Sequence, residues 1–174
     1  MLSARAFLPR FRQGKQAALV LALLVLAGCG GGKAAPTPQS VTGDGYRFAA
    51  PAGWRVTHAG RMTSAENGKQ LVSVTVFPLG RPFRPALWDK AVAELDKVAA
   101  QLATQLGGRI TSRAGATLGG QRARTYDIAF VAGGKAVVER ISFILEGRRE
   151  YQLLCRFVGD DSACTEFRTS FTLG

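Results

Sequence analysis

Histidine is nearly absent from this 174-residue chain, which contains His58 and no other. That excludes a metal site built on two histidine ligands. A Ser-His-Asp arrangement would have to use His58, and no G-x-S-x-G elbow accompanies it. Cysteine is scarce too: there are three, none in C-x-x-C spacing, so the thioredoxin-like redox motif is missing. Neither a G-x-x-x-x-G-K-[ST] phosphate loop nor a G-x-G-x-x-G strand-to-helix signature occurs, and the glycine pairs of the domain read as turns. Acidic residues are outnumbered, 12 against 23 Lys+Arg. The basic residues are dispersed without a run of five or six, so nothing beyond net charge points to nucleic acid. No apolar run approaches the roughly 20 residues of a membrane-spanning helix, and no fixed internal period marks a repeat protein.

The longest apolar run that is present, Ala17–Ala27 (AALVLALLVLA), has the length of a signal-peptide core, about 7–15 residues. Arg5, Arg10, Arg12 and Lys15 make its start basic, and the lack of an adjacent Arg-Arg pair before it favours the general export route. It ends in Leu26-Ala27-Gly28-Cys29, which resembles the lipobox of bacterial lipoproteins. The residue types follow the chemistry: small side chains admit a peptidase to the backbone, and only a thiol forms the thioether to diacylglycerol. The resemblance implies removal of residues 1–28, lipidation of Cys29, and a protein anchored to the outer face of the cell membrane or to an outer-membrane leaflet. An ordinary secretory signal cleaved near Gly28 is the simpler alternative. Without residues 1–28 the chain keeps 19 Lys+Arg against 12 Asp+Glu, about +7. That balance suits anionic headgroups or wall polymers as partners, and it also suits a plain solvated Arg-rich surface.

Residues 29–43, rich in Gly, Ala, Pro, Thr, Gln and Ser without apolar periodicity, read as a flexible tether, and 44–174 as one domain. Strands are expected at Tyr46–Phe48, Trp54–Val56 and Lys69–Phe77, the last with Val72, Val74 and Val76 on one face. Trp88, Ala91, Val92, Leu95, Val98, Ala99, Leu102 and Leu106 form one apolar stripe at helical spacing. It predicts a helix over Pro85–Leu106, with Pro85 at its start and Gly107-Gly108 at its stop. Further strands are expected at Arg109–Ala114, Arg122–Phe130, Lys135–Leu145 and Glu150–Phe157, the middle two joined by an Ala132-Gly133-Gly134 hairpin. The later strands are apolar on both faces and need cover on both. A closing helix is expected over the tail ACTEFRTSFTL, with Phe167, Ser170, Phe171 and Leu173 inward. The fold class is therefore α+β: an antiparallel sheet with one long amphipathic helix and a short C-terminal helix packed on it.

This order of elements resembles the PsbP-like fold. YRFAAPAGW, the long strand followed by a single amphipathic helix, GGQRARTYDIAF, the hairpin containing GRREYQLL and the terminal FRTSFTL carry the likeness, over Tyr46 to Leu173. The resemblance implies a binding or accessory protein without a shared catalytic motif. No family functional residue maps onto a position here, so it implies no site and no cofactor.

Two function classes stay open. One is a lipid-anchored, non-catalytic binding or accessory module of the cell envelope, with an envelope protein or an anionic envelope ligand as partner. The other is an envelope hydrolase working through carboxylates, for which Asp160, Asp161 and Glu139 are the candidates. The structural reading of each is a helix start for Asp160-Asp161 and cross-strand pairing of Glu139 and Glu150 with Arg140, Arg148 or Arg149. Tyr46, Trp54, Tyr126 and Tyr151 are either core or pocket lining. Cys155 and Cys164, an even pair in an exported chain, are expected to form a disulfide stapling the closing helix, rather than a metal site.

Overall fold

The computed structural model describes residues 36–174. β1 (Gln39–Gly43) and β2 (Tyr46–Ala50) form a hairpin about Asp44-Gly45, where Gly45 takes the positive φ of 77° that a two-residue turn demands. Among the described residues the first strand thus starts at Gln39, inside the 29–43 stretch expected as tether. One apolar side chain in the polar stretch explains it: Val41 is buried opposite Phe48. The Gln39 amide also donates to the carbonyls of Pro51 and Trp54, at 3.1 and 2.7 Å. Residues 29–35 of that expectation, with Cys29 and the signal segment, lie outside the described residues.

The remaining strands are β3 (Arg55–Ala59), β4 (Met62–Asn67), β5 (Gln70–Pro78), β6 (Arg109–Leu118), β7 (Gln121–Ala132), β8 (Lys135–Glu146), β9 (Arg149–Phe157) and β10 (Thr172–Leu173). A 3-10 turn, Pro85–Leu87, leads into α1 (Trp88–Gln105), and α2 spans Ser162–Ser170. Seven strands form one antiparallel sheet in the order β3-β4-β5-β9-β8-β7-β6, and β1-β2-β10 form a second, smaller one. The molecule is richer in sheet than the sequence reading supposed. β4 carries no strand signal in its sequence, because MTSAEN is polar and lacks alternation; its pairing with β5 over six residues holds it in place.

The large sheet is covered on both faces. On one, Leu95, Ala99 and Ala103 of α1 pack on Tyr126, Ile128, Ile141 and Phe143. On the other, the small sheet and α2 pack Phe48, Phe167 and Phe171 against Val72, Val74, Ile144 and Leu153. The closing helix is shorter than expected. It ends at Ser170, and Phe171 turns extended (φ −64°, ψ 129°) so that its buried ring stacks against Tyr46. Thr172 and Leu173 then pair with Arg47 and Tyr46 of β2. Burial of one ring and an available strand edge outweigh another helical turn.

Cys155, late in β9, and Cys164, in the first turn of α2, are joined in a disulfide with Cα atoms 5.5 Å apart.

Candidate functional site: an arginine-lined hollow

The segment after β5 is strapped to the β8–β9 turn. The amide of Leu79 donates to the Arg148 carbonyl at 2.8 Å, and that of Phe83 to the Gly147 carbonyl at 2.6 Å. This fixes Arg148 and Arg149 at one end of the large sheet. The β1–β2 turn brings Asp44 and Tyr46 to the same end, and the β3–β4 turn brings Arg61 and Thr63. Together they line a hollow of about 350 Å³.

The guanidinium of Arg149 donates to the Asp44 carbonyl at 3.0 Å and pairs with its carboxylate at 3.2 Å. A hydrogen bond with Tyr151, then the charge of Asp44, hold Arg149 more firmly protonated than usual. Arg148 donates to the Gly80 carbonyl at 3.0 Å. Arg61 has no ion-pair partner among the described residues. Tyr46, whose hydroxyl reaches the Val74 carbonyl at 3.5 Å, is pushed up from its ordinary value chiefly by burial, so it stays neutral. Three fixed positive charges and two neutral hydroxyls against one carboxylate make an anion-accepting surface, in which guanidinium forks match carboxylate or phosphate oxygens.

A nucleophile–base set does not emerge around it. His58 Nδ1 lies 3.1 Å from the Thr63 hydroxyl, but no carboxylate among the described residues bonds the ring to orient it. The carboxylates named from sequence are employed elsewhere. Asp160 accepts from the Ser162 amide at 3.0 Å and its hydroxyl at 2.7 Å, which holds its carboxyl below the usual range. Asp161 pairs with Arg140 at 3.1 Å, and Arg140 also grips Asp127 at 2.8 Å. Glu139 is buried and paired with Arg156, its cross-strand neighbour, not with the arginines expected. Glu150 has no ion partner among the described residues, and burial raises its carboxyl above the ordinary value. Among the described residues no group of three or more His, Cys, Asp or Glu is placed to hold a metal.

Tyr46 lines the hollow, while Trp54, Tyr126 and Tyr151 are core. Arg61, Arg148 and Arg149 had no sequence signal as a set. The only local cue was the arginine doublet in the β8–β9 turn, which reads as turn polarity.

No protein-family model matches the chain, and no curated protein matches it. Solved structures do. Cyanobacterial PsbP (CyanoP) from Synechocystis sp. PCC 6803 is similar with a TM-score of 0.56 at 18% identity, over 86% of this chain and 99% of that one. A protein from Bacteroides thetaiotaomicron VPI-5482 gives 0.55 at 10% identity over 75% of this chain, which spans only 45% of that protein. LpqN of Mycobacterium tuberculosis, described as involved in cell envelope biogenesis, gives 0.47 at 17% identity, over 79% of this chain and 90% of that one. The domain has the PsbP-like fold. At these identities the likeness concerns fold alone.

Proposed function

We propose that the chain is an exported, lipid-anchored envelope protein whose domain is a non-catalytic binding or accessory module, receiving an anionic group in the arginine-lined hollow. Signal segment 1–28 and the lipobox-like Leu26-Ala27-Gly28-Cys29 support export and acylation at Cys29. Among the described residues no helix is long and apolar enough to cross a membrane, so a lipid at Cys29 would be the means of attachment. The observation that carries the binding role is the convergence of Arg61, Arg148 and Arg149 on a hollow where Asp44 is the one carboxylate. The hydrolase reading lacks a comparable observation, since Asp160, Asp161 and Glu139 each hold a structural partner.

Titration of the full chain with inorganic phosphate, followed on arginine side-chain resonances, tests the binding role. Arg61, Arg148 and Arg149 should shift together and saturate. Arg61→Gln should weaken binding by about tenfold, the loss of one charge-assisted contact. Small unsaturable shifts at every surface arginine would overturn it.

A further inference from the structure

We propose that an apolar trough on the α1 face of the large sheet is a second binding site, for an unbranched aliphatic amine whose ammonium group pairs with Glu150. It lies on the face opposite the arginine hollow, whose Tyr46 and Val76 belong to the other core. The inference goes beyond the anion-binding reading and does not rest on it.

The trough measures about 370 Å³ between the strap, α1 and the sheet, walled by Leu79, Phe83, Leu87, Leu95 and Leu145. Alternation along β9 puts Glu150 on the same face as Leu154, which packs on the α1 side of the sheet. Its cross-strand neighbours are Leu145 on β8 and Phe77 on β5, both apolar. A carboxylate so placed has no neighbour in the sheet that can satisfy it. The other acids on strands of the large sheet all have a polar partner. Glu66 has Arg55, Asp127 has Arg140, Glu139 has Arg156, and Glu146 has the Gln121 amide. Glu150 has none among the described residues. Burial without a partner pushes its carboxyl up, and a cation entering the trough would remove that penalty.

The walls select the kind of cation. A metal ion needs several oxygen ligands, and among the described residues no group of three or more His, Cys, Asp or Glu is placed to hold one. Glu94, the other acid lining the trough, is paired with Lys97 at 2.8 Å. A guanidinium has five donors to satisfy, an ammonium only three, and a single carboxylate suits the smaller head. A lysyl peptide would bring backbone amides against leucine side chains, where they would go unpaired. A plain alkyl stem instead buries against those side chains, tightening binding by up to about fourfold per methylene. Arg81, exposed on the strap, is the basic residue lining the trough and opposes the ligand from the rim.

The test titrates the full chain at pH 7 with butylamine, hexylamine and hexanol and follows leucine methyl resonances. Hexylamine should shift Leu87, Leu95 and Leu145 together and saturate, up to about sixteenfold more tightly than butylamine. Hexanol, with the stem but not the charge, should bind about tenfold more weakly than hexylamine. Glu150→Gln keeps the size of the side chain and removes its charge, so that variant folds. It should weaken hexylamine by about tenfold and leave hexanol unchanged, as well as inorganic phosphate binding read on the arginine resonances. Arg81→Gln should tighten hexylamine, since it removes the opposing charge. Equal binding of hexylamine by wild type and Glu150→Gln would overturn the proposal and leave an apolar trough without a charge site. An acetylated lysine methylamide binding at the same leucines as tightly as hexylamine would overturn the free amine in favour of a protein side chain. Leucine shifts that never saturate would overturn the site altogether.

Discussion

At the scale of single residues, the strongest polar device is the contact of Asp96 on α1 with the sheet beneath it. The fully buried Tyr126 donates its hydroxyl to Asp96 at 2.7 Å, and Arg124 donates to the same oxygen at 3.0 Å. Those bonds, Tyr126 first, hold the Asp96 carboxyl below its ordinary range. Burial, then the Asp96 bond, push Tyr126 up to about 12. The folded tyrosine thus keeps its proton where the unfolded one, near 10, has lost it. Its stabilisation is whole below about pH 10 and is lost as pH rises from there towards 12. Tyr126→Phe should cost about 1–2 kcal/mol in neutral denaturant unfolding and should remove that alkaline loss. An unchanged alkaline limb would refute the assignment. Glu150 has the opposite consequence for an acid. Its raised value means the fold favours the protonated carboxyl, so its contribution is most favourable below about 4.5 and is lost as pH rises through the raised value. Glu150→Gln should therefore melt higher than wild type at pH 7, and the difference should vanish below pH 4.5. Of these residues, the sequence marks Asp96 as polar and Tyr126 as an aromatic in a strand. Their bond joins positions 30 apart, which no local pattern encodes.

At the scale of elements, α1 illustrates how far periodicity reaches. The stripe correctly places Trp88, Leu95 and Ala99 inward, but Val98 is 39% exposed and Ala103, off the stripe, is buried. The contact runs along the i, i+4 ridge Leu95-Ala99-Ala103, whose small residues admit Tyr126 and Ile128, and alanine is too weakly apolar to advertise this. Leu95→Ala should cost about 2–5 kcal/mol, as a core truncation does. Val98→Ala should stay within about 0.5 kcal/mol, and equal losses would mean that the ridge is misplaced. The helix stop was legible for a physical reason: Gly107 takes φ 62°, and Gly108 leaves no room for a side chain, since a Cβ there would meet the Ala129 carbonyl at 2.5 Å. The end of α2 was not legible, because Phe171 and Leu173 fit a helical face as well as an alternating strand. Only the edge of β2 decides between them. The disulfide holds this element down. Its loop of about ten residues corresponds to roughly 2.7 kcal/mol in the chain-entropy model, less if reduced chains retain structure. The Cys155→Ala, Cys164→Ala double variant should lose at least about that much in unfolding experiments, since both sites are buried, with exchange protection of α2 falling first. Uniform loss across the large sheet would show that α2 is not a separate unit.

At the scale of the whole molecule, the fold could be read from the order of its elements because each strand and the long helix carry their own pattern. The hollow could not, because it is a meeting of the β1–β2, β3–β4 and β8–β9 turns, whose residues are polar for ordinary reasons one at a time. Under the proposed envelope role, two unlike means of membrane attachment would compete. A charge of about +7 after removal of 1–28 would draw the protein to anionic headgroups, while acyl chains at Cys29 would hold it by burial of methylenes at about 0.8 kcal/mol each. Salt separates the two. At about 1 M the screening length shrinks to roughly 3 Å and headgroup attraction fails, whereas buried acyl chains are indifferent to it. Wild-type protein should therefore stay with the membrane fraction through a high-salt wash and show the added acyl mass on a chain beginning at Cys29. Cys29→Ser should appear in the soluble fraction with the domain's melting temperature unchanged. Release of the wild type by salt alone, with an unmodified Cys29 in the intact mass, would assign attachment to the arginines instead of the lipid.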